Sequence, residues 1–237
     1  MEEIKTSLGV SQVAILPQIK KLRDRNLVFK KNDAYSLSPL GEAISGKMQD
    51  IEKILAVFEN NYEFWATHFI ECIPPLFLNR IDELENCIFS ELPDRTHLFD
   101  PHREFVENLN ESKHIKGIAS IFHPMYPLLF IKLAQKGKDI SLLVTDSVFK
   151  RVMEEFQEEL KIFLDTETTS FYVCRENIEF FHVVTDNFFS LTLPFLDGNF
   201  DSKEDIMSFS PQALNWGEDL FAYYKEKSER IIGSDLA

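Results

Sequence analysis

Cysteine is scarce in this chain, with three in 237 residues. Cys72, Cys87 and Cys174 lie far apart, are odd in number and form no C-x-x-C pair. That excludes a disulfide framework and a cysteine-based zinc site, and leaves reduced, buried thiols in a cytoplasmic protein as the expectation. Glycine is scarce too, with eight copies, and none falls in a G-x-G-x-x-G, P-loop or G-x-S-x-G arrangement. No H-E-x-x-H occurs either, so the common dinucleotide, nucleotide, serine-hydrolase and metalloprotease signatures are all lacking. The histidines are scattered and none pairs with cysteine at a metal spacing, so neither metal nor cofactor is expected. No apolar run of about 18 residues and no basic-apolar-small leader is present, which argues against a membrane partner.

Aromatic residues are nearly missing from the first quarter. Of 22 phenylalanines only Phe29 lies within the first 57 residues. Two regions with different cores follow from that asymmetry, and the length suits a small domain plus a larger one. Basic charge is also in deficit, the net charge being −14. Yet Lys20, Lys21, Arg23, Arg25, Lys30 and Lys31 face only Asp24 between residues 18 and 31. A small basic element on an acidic body suits local contact with DNA phosphates rather than coating of a nucleic acid. The plainer explanation is a solvated helix face.

The first 41 residues read as a helix-turn-helix with a wing. Ile4 and Leu8 form an i, i+4 pair, and Gly9 stands where a helix end wants a positive φ. Ser11 is placed to cap a second helix. On it Ile15, Ile19 and Leu22 repeat at helical spacing and would pack inward, while Gln12, Val13, Leu16, Lys20 and Arg23 fall on other faces. Pro17 interrupts this helix and predicts a kink there or a regular part starting near Leu16. The β-prone Leu27–Lys31 run, the Asn32-Asp33 turn and Tyr35–Ser38 make the wing. In such a unit Gln12 and Gln18 are the candidates for base edges, because an amide both donates to and accepts from adenine. Ser11, Lys20, Lys21, Arg23, Lys30 and Lys31 complete the expected DNA-binding set, the cations as phosphate contacts.

A long helix is expected from Pro39 to Asn60 and a turn-rich stretch from there to Ile70, with apolar residues at three-to-four spacing at Ile44, Met48, Ile51, Ile54, Leu55, Phe58, Tyr62 and Trp65. Such an arm after a wing suits a two-fold homodimer, the alternative being a linker packed on its own body. Leu76 to Phe89 reads as a further amphipathic helix. Beyond residue 94 strand-like and helical runs alternate, the helices expected at Pro124–Lys136, Val148–Phe163 and Pro211–Ile231, giving an α/β (α+β) domain around one mixed sheet. The expected domains are therefore 1–45, a winged helix; 46–93, a helical connector; and 94–237, an α/β sensor domain. Two strand ends look alike, Val144-Thr145-Asp146 and Val184-Thr185-Asp186. Ligands in open α/β sheets sit outside the carboxyl ends of strands. Thr145, Asp146, Thr185 and Asp186, with His123 and Tyr126 after another strand, are thus candidates for the rim of a site for a small polar effector. Helix caps and turns are their commoner use.

The Ile15–Leu22 helix, the Gly117–Pro124 stretch, Val183-Val184-Thr185-Asp186 and Ala213–Phe221 together resemble the archaeal winged-helix regulators of the methanogenesis regulatory protein family. The resemblance covers nearly the whole chain except the family's first helix. It implies a transcription regulator with a sensor-like second part and leaves the signal open. The partners expected of the chain are double-stranded DNA, a second copy, and an unidentified small-molecule effector or protein. A remoter similarity is to the phospholipase D-like fold, whose enzymes use His-x-Lys-x4-Asp. Counted back from Asp186, those slots hold Glu179 and Phe181. A phosphodiesterase-like enzyme with an accessory winged helix is the alternative reading, and the missing nucleophile and cation weigh against it.

Overall fold

The computed structural model describes residues 2–91, 103–201 and 203–236. The chain divides into two compact units, Met1–Leu55 and Ala56–Ala237. Among the described residues no helix is long and apolar enough to cross a membrane.

The first unit opens with α1 (Glu2–Leu8), a turn at Gly9 with φ +63°, and α2 (Gln12–Asp24). The Ser11 carbonyl accepts the N–H groups of Ala14 and Ile15, but its hydroxyl makes no capping bond. The expected cap is therefore a backbone one. Pro17 lies inside α2, which already begins at Gln12, so the helix does not start late near Leu16. Asn26, with φ +57°, ends it, and the chain turns into an antiparallel hairpin, β1 (Val28–Lys31) and β2 (Ala34–Leu37). Asn32 and Asp33 connect the strands with φ +49° and +59°. Positive φ at both central residues is the type I′ geometry that matches strand twist, and Asn and Asp tolerate it best after Gly.

Ser38 then begins α3 (Pro39–Asn60). Its hydroxyl donates to the Asn26 carbonyl at 2.6 Å and accepts the Gly41 N–H at 3.0 Å. A Cβ on Gly41 would lie 2.0 Å from the Leu27 carbonyl oxygen, so only glycine lets α3 start this close to the strand. Of the three expected inward residues of α2, Ile15 is buried, Ile19 half-buried and Leu22 exposed. All three border a groove that α1, α2 and the hairpin leave open, lined also by Ile4, Leu8 and Val28.

The second unit holds a mixed eight-stranded sheet in the order β10-β6-β5-β4-β7-β8-β9-β3. Its strands are β3 (Ile88–Glu91), β4 (His114–Ala119), β5 (Asp139–Thr145), β6 (Thr169–Cys174), β7 (Phe181–Thr185), β8 (Phe189–Thr192), β9 (Glu204–Ser208) and β10 (Ser228–Ile231). Only β4, β5 and β6 run parallel. The helices are α4 (Tyr62–Thr67), α5 (Pro75–Leu78), α6 (Arg103–Glu111), α7 (Tyr126–Gln135), α8 (Asp146–Glu155), α9 (Gln157–Leu164) and α10 (Pro211–Lys225). Side chains alternate across a strand. On β7, Phe181 and Val183 join the core under α7, α8 and α9, whereas His182 and Val184 meet Gly217 of α10 on the other face. Both faces are covered, which is why every residue of β7 is buried.

Three expectations change here. Leu76–Phe89 is not one helix but α5, a 3-10 turn at Ile81–Leu84 and strand β3, whose residues pair with β9 instead of continuing a helix. The expected Val148–Phe163 helix breaks at Phe156 into α8 and α9. The helix expected to reach Ile231 stops at Lys225, and β10 pairs with β6 instead.

Candidate functional site

In the first unit the basic residues of α2 and the hairpin are solvent-facing. Ser11, Gln12, Gln18, Lys20, Lys21, Arg23, Lys30 and Lys31 are all exposed. On α2, Gln12, Val13, Leu16, Lys20 and Arg23 share the face away from the groove, and Val13 there is 82 % exposed. Gln18 follows the Ile15–Leu22 spacing and lines the groove, so the two glutamines point differently and only Gln12 shares the outer face with the cations. Lys30 pairs with Asp33 at 2.6 Å. This hydrogen bond and charge raise its pKa, and the guanidinium of Arg23 opposes them, so α2 and the hairpin bring their cations near one another. Lys20, Lys21, Arg23 and Lys31 make no ion pair among the described residues, and these charges are left to the surface.

In the second unit the topology separates the expected rim residues. Strands β4 and β5 are parallel, so His123, Tyr126, Thr145 and Asp146 follow strand ends on one side of the sheet. Strand β7 runs antiparallel to β4, with Thr185 opposite Ile115. Thr185 and Asp186 therefore lie at the other side, and the expected single rim of all six residues does not form. The Thr185 hydroxyl oxygen accepts the N–H groups of Asn187 and Phe188, each at 3.0 Å, and the Ser112 hydroxyl at 2.8 Å. Asp186 Oδ1 accepts the N–H of Lys113 at 2.8 Å and of His114 at 3.1 Å. Burial would raise this carboxyl, but the bonds from His114 and Lys113 outweigh it and hold it below the ordinary carboxylate range. The pair fastens the start of β4 to the β7–β8 turn.

At the opposite side Thr145 caps α8, its hydroxyl oxygen accepting the Val148 N–H at 3.5 Å, and Asp146 is the exposed first residue of that helix. His123 stacks on Tyr126 with ring centres 4.4 Å apart, and its Nδ1 accepts the Met125 N–H at 3.3 Å. Burial raises the Tyr126 phenol, so it stays protonated. Both rings line a cavity of about 70 Å³ between the sheet and α7, α8 and α9, whereas Thr145 and Asp146 do not. The cavity was not legible beforehand because its walls come from seven elements. Its floor was partly signalled: Gly117 and Ala119, two residues apart on β4, put almost no side chain on that face. In the catalytic slots of the phospholipase D pattern, Phe181 is buried and Glu179 accepts from Asn177. No cluster of three or more potential metal ligands occurs among the described residues.

The chain is 24 % identical over 240 residues to the methanogenesis regulatory protein FilR1 of Methanothrix harundinacea (strain 6Ac), covering all of this chain and 54 % of that protein. It thus spans about half the length of the curated relative it matches. Among solved structures, similarity is found to TrmBL2, described as an archaeal chromatin protein with a novel mode of DNA binding. There the TM-score is 0.48 at 14 % identity, over 89 % of this chain and 80 % of that one. Similarity is also found to Nuc, a phospholipase D family member from Salmonella typhimurium, with a TM-score of 0.45 at 8 % identity, over 62 % of this chain and 99 % of that one. Residues 98–227 match the family model of the middle domain of the methanogenesis regulatory protein FilR1, and the chain belongs to that family.

Proposed function

We propose that this protein is an intracellular transcription regulator that binds double-stranded DNA through its first unit as a winged helix. The observation that carries this reading is the outer face of α2. There Gln12, Lys20 and Arg23 stand beside the hairpin lysines in a chain of net charge −14. Gln12 suits an adenine edge, and exposed Val13 on the same face suits a thymine methyl. The regulatory name of the FilR1 relative supports the same reading. The proposed organisation is residues 1–45 as the winged helix, 46–93 as connector and 94–237 as sensor.

Two copies are proposed to pair through α3. Ile44, Met48, Ile51 and Leu55 recur at spacings of four, three and four and are 40, 56, 56 and 50 % exposed. That is the a/d seam of a coiled coil. Trp65 takes no part, being buried with its Nε1 donating to the Val57 carbonyl at 3.0 Å. The C-terminal unit is proposed to sense an effector on the side of the sheet that carries His123 and Tyr126, without catalysis.

The test is DNA binding over a range of salt. Changing Lys20, Lys21 and Arg23 together to Gln should weaken binding to all sequences and lower the salt slope by roughly one unit per lost phosphate contact. Unchanged affinity and slope would assign DNA contact elsewhere. Gln12→Ala should instead relax preference at one base pair, by about 1–3 kcal/mol.

A further inference from the structure

The cavity beneath α7 is lined by 20 residues, of which only His123, Tyr126 and Glu159 carry polar side chains. The cavity is half open to solvent rather than sealed in the core, and its walls give a water few polar partners. On β4 the residues facing it after Ile115 are Gly117 and Ala119. Leu142 and Val183 of the flanking strands close over Gly117, 3.2 and 3.6 Å from where a Cβ would stand, which leaves Ala119 as the small residue of the floor. Around it Phe130, Leu160 and Phe163 are fixed by the surrounding core and do not collapse into the gap. A small polar ligand does not fit walls of this chemistry.

We infer that the cavity binds the hydrocarbon tail of a small neutral amphiphile, with the head group held outside near His123. This deepens the sensing role proposed above. The volume of about 70 Å³ is roughly half the ~150 Å³ that admits benzene in an engineered apolar core. It therefore takes a straight chain of roughly three or four carbons. Glu159, half-buried on α9, is among the lining residues, and an acidic side chain at the site disfavours an anionic head. The cation of the neighbourhood, Arg151, stacks on Phe122 at 4.6 Å and donates to Glu155 at 2.8 Å, so it is already engaged.

The full chain is titrated with 1-alkanols from ethanol to 1-octanol and with carboxylates of matching tails, followed by methyl NMR and calorimetry. Affinity should rise roughly fourfold per methylene, the equivalent of about 0.8 kcal/mol, and level off near four carbons. Each carboxylate should bind more weakly than its alkanol. Ala119→Leu should abolish binding by filling the floor. Phe163→Leu should move the plateau to longer chains, and it decides the matter if the first variant does not fold. Affinity independent of chain length, or an unchanged plateau in Phe163→Leu, would overturn the tail site. Tighter binding of the carboxylates would overturn the neutral head. DNA affinity is measured in parallel with and without 1-butanol. Chain-length-dependent binding that leaves DNA affinity unchanged supports the cavity assignment and sinks the sensing role alone.

Discussion

His182 Nε2 lies 3.0 Å from the carbonyl oxygen of Gly217, a contact that ties the centre of β7 to the middle of α10. The approach is possible because residue 217 has no Cβ. One built there would stand 2.8 Å from both His182 Cε1 and Phe189 Cδ2 and 3.1 Å from Val184 Cβ. Trp216 beside it is fully buried and donates to the Phe77 carbonyl at 3.1 Å, so the helix cannot slide away without losing that bond. Gly217→Ala should therefore destabilise the protein by about 1–3 kcal/mol through overpacking, despite the better helix propensity of alanine. Urea unfolding measures it, and equal or greater stability would show that α10 can shift.

Protonation of the same histidine sets an acid limit. Burial pushes the His182 imidazole down to about 4, outweighing the carbonyls of Gly217 and Ser190 that favour its charged form. The unfolded chain then binds the extra proton more readily. Stability is complete above about pH 6.5 and falls as pH drops from there to about 4, by about 3 kcal/mol in all. His182→Gln should flatten that part of the melting profile relative to wild type. Parallel profiles between pH 7 and 4 would mean that the ring is not the group responsible.

Asp186 acts lower on the pH scale. Its carboxylate holds the Lys113 and His114 N–H groups, and its pKa is depressed. Its contribution is present above the ordinary aspartate pKa and lost as pH falls through the depressed value. Asp186→Ala should cost roughly 1 kcal/mol at pH 7, charge-assisted bonds at an exposed site being weakened by water. The tail ligand should bind this variant as it binds wild type, because the tether and the cavity lie on different sides of the sheet. Loss of ligand binding with stability intact would reverse these roles.

Light scattering at micromolar concentration should give about twice the chain mass of 27.6 kDa. Placing a charge in the α3 seam, with Ile51→Glu or Met48→Glu, should return a monomer of unchanged helix content, since both positions are solvent-facing within one chain. DNA affinity should fall with it, because one copy reads only a half-site. A wild-type monomer at that concentration would remove α3 as the dimer arm.

Local chemistry settled the elements whose cause lies within a few residues of sequence. The hairpin is one: Asn32 and Asp33 tolerate the two positive φ values that a two-residue connection needs. Gly9 as the end of α1, the exposed cations of α2 and the apolar spacing on α3 are others, as are the strands of alternating or continuous apolar residues at the middle of the sheet. The failures share a cause. Strand β10 carries Ser-Glu-Arg-Ile, which reads as the tail of a helix until β6 offers it a partner. The like Thr-Asp endings of β5 and β7 looked equivalent, and strand direction alone put them on opposite sides of the sheet. Sequence could list His123, Tyr126 and the small residues of β4, but not that helices from three separate segments close over them. A cavity is a property of what surrounds an empty space, and only the packed chain decides which residues do so.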